Sequence, residues 1–239
     1  MPHASKICVA YYKLRARRPE YQALLRATKG FLRARLDGAC YVSFSAGKDS
    51  SVCAHLCNEL KPGIPLFLVE PPGQTLWLNE ERQAWLGYAE TNGWSLKLFS
   101  WDRWRKKMDT QHLQELHLDQ FSEVTAYADA HGLTTRVMGL REGESNNRRM
   151  TIRDLGMDYD YVNGQRRLLP VAKWTTDDIW TYIVASGMPW LSIYDVAGPD
   201  ARNGLIGLNA HEKGRLAYLK AYYPRVWEEA KQYLGVNNA

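Results

Sequence analysis

The chain has 239 residues, 45% hydrophobic and 24% charged, with a formal net charge of +5. This is length for one sizeable α/β domain or a domain with a small appendage. No run approaches the roughly 20 apolar residues that cross a bilayer, and the N-terminal MPHASKICVAYYKLRARRPEY lacks the apolar core of an export signal, so no membrane association is expected and a cytoplasmic location is.

The predicted elements begin with an amphipathic helix over Arg18 to Leu36, where Tyr21, Leu24, Leu25, Phe31, Leu32 and Leu36 recur at helical spacing. After the Asp37-Gly38 turn, Cys40 to Phe44 reads as a strand and Ser50 to Leu60 as a helix closed by Lys61-Pro62-Gly63. IPLFLV, Ile64 to Val69, is a continuous apolar run of the kind buried on both faces of a parallel sheet. A helix over Asn79 to Glu90 and a strand over Ser95 to Phe99 follow. Helical stretches then cover 101–108 and Gln111 to Ala130, before a strand over Thr134 to Met138. Alternating strands and helices at this spacing imply βαβ units with right-handed crossovers. A fifth strand is expected near LLPVAKW, 168–174, with a mostly helical region from Leu169 onward. The chain is read as one domain over 1–239, its core at about 20–195 and a helical part at about 196–239.

Cys8, Cys40, Cys53 and Cys57 all lie in the first quarter, and no C-x-x-C pair or histidine cluster accompanies them. They read as small buried hydrophobes in a reducing compartment rather than as zinc ligands. The positive charge clusters at Lys13, Arg15, Arg17, Arg18, Arg26, Lys29, Arg33 and Arg35. Two readings stand: a solvated helix face, or attraction to phosphate on a nucleotide or a nucleic acid.

The stretch YVSFSAGKDSS, 41–51, places small and hydroxylated residues between a strand and a helix. Backbone N–H groups at a helix N-terminus form an anion site, reinforced by the helix dipole. Ala46 and Gly47 allow close approach, Ser45, Ser50 and Ser51 add hydroxyls, and Lys48 adds positive charge. Asp49 caps the helix or holds a Mg2+ that accompanies a polyphosphate. The stretch is not a G-x-x-x-x-G-K-S/T loop, because Val42 stands where the first glycine belongs.

SAGKDSS resembles the PP-loop, S-G-G-x-D-S-S/T, of the adenine-nucleotide alpha-hydrolase superfamily, with Ala46 in place of the second residue's usual glycine. GLREGESNNRR (139–149), LLPVAKWTTDDIWTYI (168–183) and MPWLSIYD (188–195) resemble three further ordered motifs of its phosphoadenosine phosphosulfate (PAPS) reductase family. That family includes the small subunit of ATP sulfurylase and DNA-sulfur-modification relatives. The resemblance implies a Rossmann-like α/β fold with a five-stranded parallel sheet, and a site binding ATP (or PAPS) with Mg2+. Lys48, Asp49, Arg141 and Lys173 are the expected catalytic residues, with Asp49 as metal ligand. The expected cofactor-binding residues are Ser43, Phe44, Ser45, Ala46, Gly47, Ser50, Ser51, Val69, Glu70, Gly139, Glu144, Ser145, Arg148 and Arg202. Arg141 and Arg148 supply planar forks for phosphate or sulfate, and Glu144 holds an arginine or a metal. Thr175, Asp177 and Asp178 read as a helix start, and Ile179, Trp180 and Ile183 as core. Arg141→Ala and Lys48→Ala are expected to weaken nucleotide binding without unfolding the chain.

The chain departs from the family in having no cysteine after Cys57, so the C-terminal thiolate of a PAPS reductase is missing, as are the four thiolates of an iron–sulfur cluster. The leading expectation is therefore ATP cleavage between the α and β phosphates, with adenylyl transfer to an acceptor. Phosphosulfate reduction by an external thiol, and nucleotide binding without catalysis, are the alternatives. The partners in view are an adenine nucleotide, a partner subunit or second copy of the chain, and nucleic acid at the basic N-terminal face.

Overall fold

The computed structural model describes residues 5–70, 78–100, 122–161, 164–201 and 214–228. Two helices come first, α1 (Val9–Arg15) and α2 (Pro19–Arg33), the latter starting on a proline whose missing N–H has no helical partner to lose. Then β1 (Cys40–Phe44), α3 (Lys48–Leu60), β2 (Pro65–Glu70), α4 (Asn79–Thr91) and β3 (Ser95–Ser100) follow in strict alternation. After α5 (Ser122–Ala130) come β4 (Thr135–Val137), a 3₁₀ turn (Glu142–Glu144) and α6 (Asn146–Leu155). The hairpin β5 (Asp158–Asp160) and β6 (Arg166–Leu168) leads to α7 (Thr176–Ala185), α8 (Ile193–Ala197) and α9 (Arg215–Tyr222). Among the described residues, no helix is long and apolar enough to cross a membrane.

The strands form one sheet in the order β3-β2-β1-β4-β6-β5. Five are mutually parallel, with Val42 opposite both Leu66 and Val137, and Val137 opposite Leu168. The expected five-stranded parallel sheet is therefore present, and β5 adds a sixth strand, antiparallel at one edge. The fifth parallel strand lies at 166–168, slightly before the expected stretch, because the chain turns at Pro170.

Period-two alternation on β1 and β2 divides the core. Val42, Phe44, Leu66 and Leu68 face α3 and α4, meeting Val52, Cys53, Leu56 and Trp85. Tyr41 and Phe67 face the other way, against Val124 and Ala128 of α5. Helices on both faces satisfy a sheet whose strands are apolar on both sides. The first connections run from β1 outward to β3, and the chain then crosses to the other side of β1 to form β4. The reversal places a crevice at the carboxyl ends of β1 and β4, where open α/β sheets bind ligands.

Candidate functional site

The turn between β1 and α3 lies at that crevice. Ala46 has φ of +52°, the one left-handed non-glycine among the described residues. Gly47 is extended (φ −69°, ψ 147°) and caps α3. Ser50 Oγ accepts from the Ser45 N–H at 3.1 Å, and lies 2.9 Å from Gly47 O and 3.0 Å from Ser45 Oγ. The Ser51 hydroxyl donates to Gly47 O at 3.0 Å. The serines thus brace the turn from inside, with Ser45 at its exposed lip. First-turn N–H groups of a helix have no intrahelical acceptor; that of Lys48 donates to the Tyr194 hydroxyl at 3.2 Å.

Lys48, Asp49 and Arg141 form a buried charge triad, exposed by only 7%, 8% and 4%. Arg141 Nε donates to Asp49 Oδ1 at 2.5 Å, and Lys48 Nζ stands 3.5 Å from Asp49 Oδ2. Two cations share one carboxylate, leaving the cradle one positive charge in excess beside a helix N-terminus, a setting suited to an anion. Arg141 also donates to Trp174 O at 3.2 Å, and Lys48 Nζ to Ala201 O at 3.3 Å. Arg141 is therefore built into the protein, and removing it would leave Asp49 with the 3.5 Å contact to Lys48, so Arg141→Ala is expected to cost stability as well as nucleotide binding.

Gly139 follows β4 and abuts α3. A Cβ there would sit 2.5 Å from Asp49 C and 2.6 Å from Ser50 N, so the close approach of the β4 loop to the cradle requires glycine. Beyond it, Glu144 Oε2 accepts from the Arg141 N–H at 2.8 Å and pairs with Arg148 at 2.5 Å. Ser145 caps α6 through the Arg148 N–H at 3.2 Å. Lys173 is exposed on the turn after β6, one residue from the carbonyl that Arg141 grips.

Other expected residues face elsewhere. Phe44 packs edge-on against Trp85 and Trp94, with centroids at 5.2 and 5.6 Å. Val69 lies against the Tyr41–Phe67 cluster. Ser43 Oγ accepts from Arg136 Nε at 2.6 Å, on the sheet face toward α5. The side chains of Phe44 and Val69 are thus taken up by packing. Glu70 ends β2, its side chain outside the described residues, as is Arg202. Thr175 caps α7 in a reciprocal box with Asp178, confirming the structural reading of that motif.

Sequence reasoning missed Tyr194. Its block was recognised, but helical spacing marks it only as core, and nothing local aims its hydroxyl at a residue 146 positions earlier. It also missed a buried network behind the cradle. Glu81 pairs with Arg215, and its Oε1 accepts from the Ser192 N–H at 2.7 Å and hydroxyl at 2.6 Å.

The thiols are equally informative. Cys40, Cys53 and Cys57 are buried. Burial pushes Cys53 and Cys57 well up, and raises Cys40 to about 11 with help from Asp37. Cys8 is exposed at the start of α1, which packs on α7. No group of three or more metal-ligating residues occurs among the described residues.

A family model described as the phosphoadenosine phosphosulfate reductase domain matches residues 39–226. Among solved structures, the chain is similar to the U34-tRNA thiolase NcsA from Methanococcus maripaludis with its 4Fe-4S cluster. That match has 13% identity and a TM-score of 0.55, and covers 91% of this chain and 82% of that one. It is also similar to the NH3-dependent NAD synthetase from Campylobacter jejuni subsp. jejuni NCTC 11168 in complex with the nitrate ion. There the identity is 15%, the TM-score 0.49, and the coverage 90% of this chain and 93% of that one. The first likeness shows a shared fold. No curated protein matches the chain in sequence.

Proposed function

The chain belongs to the phosphoadenosine phosphosulfate reductase domain family, and from that premise we propose that it is an ATP-cleaving adenylyltransferase rather than a reductase. The observation that carries this reading is the pairing of a positively charged helix N-terminus with thiols unsuited to attack. Three of the four cysteines are buried and held protonated by burial, and the exposed Cys8 lies at the start of α1 rather than on the turn after β1. Reduction of a phosphosulfate by the chain's own thiol needs an accessible thiolate at the nucleotide.

In the proposed step an acceptor oxygen or nitrogen forms a bond to Pα while the bond from Pα to the bridging oxygen breaks. The bridging oxygen keeps the electron pair and pyrophosphate departs; a sulfate or carboxylate acceptor has no proton to lose, whereas a nitrogen or hydroxyl acceptor passes its proton to water. The turn Ser45 to Ser51 holds the departing pyrophosphate, with Lys48 opposing the charge that builds on it. Arg141 acts mainly by fixing Asp49 and the first turn of α3, so that little reorganisation accompanies the reaction. Lys173, exposed at the rim, meets charge on the α-phosphate or the acceptor.

Asp49 is the cradle carboxylate available to a Mg2+ arriving with the phosphates, but both its oxygens face cations. These residues do not form a resident metal site, and no step here depends on one.

Incubation with ATP and Mg2+ and a panel of sulfate, carboxylate and nucleic-acid acceptors is expected to release pyrophosphate. PAPS with thioredoxin is expected to yield no sulfite. The opposite pair of results would overturn the reading. Lys48→Met is expected to weaken ATP binding roughly 10- to 100-fold, the loss of one charge-assisted hydrogen bond of about 1.5–3 kcal/mol.

A further inference from the structure

Residues 5–36 contain nine Lys or Arg and one acid, Glu20, a net charge of +8; since the whole chain carries +5, the remainder carries −3. The fold neutralises three of these cations: Arg15 pairs with Asp178, Lys29 with Glu59, and Arg35 with Asp158. Lys6, Lys13, Arg17, Arg18, Arg26 and Arg33 remain, all exposed and without an ion pair among the described residues.

The shape of the face matters as much as its charge. Tyr21, Thr28 and Leu32 turn α2 inward, and Thr28 Oγ1 accepts from Trp174 Nε1 at 2.9 Å. The outward side shows Ala23, Arg26, Ala27, Gly30, Arg33 and Ala34, all exposed. Arginines flanked by small residues let a backbone lie close, and Arg26 and Arg33 stand roughly 10 Å apart along the axis, about three nucleotide steps of one strand.

We propose that the outer face of α1 and α2 is a docking surface for a nucleic-acid backbone. Planar guanidinium forks match phosphate oxygens, and a cationic face on a chain otherwise acidic in net charge biases a polyanion toward this side. A bilayer is the poorer partner: an interfacial helix buries a broad apolar side, whereas α2 shows no large apolar residue outward, and exposed Val9, Tyr11 and Leu14 are confined to the short α1. None of the six cations contacts the cradle among the described residues, so the inference stands whether or not adenylyl transfer does.

The test is fluorescence anisotropy of a labelled 20-nucleotide single-stranded RNA, and of its DNA counterpart, at 50 and 200 mM salt. With four phosphate contacts at a slope of about −0.7 each, affinity should fall roughly 50-fold between the two salts. A variant combining Arg17→Gln, Arg18→Gln, Arg26→Gln and Arg33→Gln should lose at least tenfold at the lower salt and most of the salt slope. Arg149→Gln with Arg153→Gln, on exposed α6 positions, should bind as the parent does. The four Arg→Lys replacements should restore binding, which separates lost charge from a damaged fold. Absence of binding by the parent, equal loss in the α6 variant, or failure of the lysine rescue overturns the proposal. Tighter capture by phosphatidylglycerol vesicles than by either nucleic acid, lost in the same four-site variant, overturns it in favour of a lipid surface.

Discussion

Substituting Gly139 by alanine tests the construction of the cradle without touching a charged group. The added Cβ would stand 2.5 Å from Asp49 C, 2.6 Å from Asp49 O and 2.6 Å from Ser50 N, where ordinary contact begins at 3.4 Å. All three neighbours are backbone, so relief needs a displacement of nearly 1 Å between the β4 loop and the first turn of α3. Overpacking of this kind costs about 1–3 kcal/mol, and rigid backbone on both sides puts Gly139→Ala toward the upper end. For a chain of this size that is a fall in melting temperature of roughly 4–10 °C. The displaced turn is also the proposed phosphate cradle, whose hydrogen bonds to a ligand weaken steeply when their geometry is displaced. ATP affinity should therefore drop by a larger factor than stability alone explains. Melting curves with and without ATP read both effects. Gly143→Ala is the control, because its Cβ would meet only Arg141 Nη1, at 3.9 Å. If Gly139→Ala melts within 2 °C of the parent, by the same size scaling, and keeps its shift with ATP, the close approach described here is wrong.

Ala46→Gly should leave stability within about 0.5 kcal/mol, since relief of a left-handed alanine, roughly 1 kcal/mol, is offset by the entropy of glycine. Ala46→Val at the same buried position should cost about 2–4 kcal/mol in urea unfolding, and a tolerated valine would contradict the assigned backbone. Glu81→Ala leaves Arg215 buried without its carboxylate, and should cost about 3–5 kcal/mol as a shifted urea midpoint at constant slope; a loss under about 1 kcal/mol would mean that the pair is incidental. Burial holds the His55 imidazole below its ordinary value of 6.5, so the unfolded chain takes up a proton that the folded chain resists. Stability from this source is complete above about pH 6.5 and declines as pH falls through it, levelling once below the folded value. Comparing unfolding midpoints at pH 7.5 and 5.5 in the parent and in His55→Gln isolates it, and an identical pH response in both rules it out.

The centre of the parallel sheet was legible because β1 and β2 are apolar runs bounded by turn residues, CYVSF and IPLFLV, whereas β6 is Arg-Arg-Leu and was expected too late in the chain. The edge strand was not legible. Asp158–Asp160 has no apolar periodicity, and its pairing is fixed by charge: Arg166 grips Asp158 through two bonds of 2.7 Å, and Arg35, 123 residues away, adds a third. The helix α1 escaped notice because among its seven residues only Tyr12 is buried. At the site, the turn after β1 could be read from small residues before a helix, and Gly139 from its motif. The commitment of Arg141 to Asp49 could not, since a sequence shows a fork but not the carboxylate placed against it.

The hydroxyl of Tyr194 and the carbonyl of Ala201 reach residues made 146 and 153 positions earlier. Closing a separation of that size costs about 3 kcal/mol more than closing the five-residue span between Ser45 and Ser50, so these bonds form late and only with the rest of the chain already folded. During synthesis, the turn leaves the ribosome long before the residues that steady it. A polypeptide cut short before Tyr194 carries the whole turn and lacks its fastening, so such a truncation is expected to loosen the turn even where the sheet still forms.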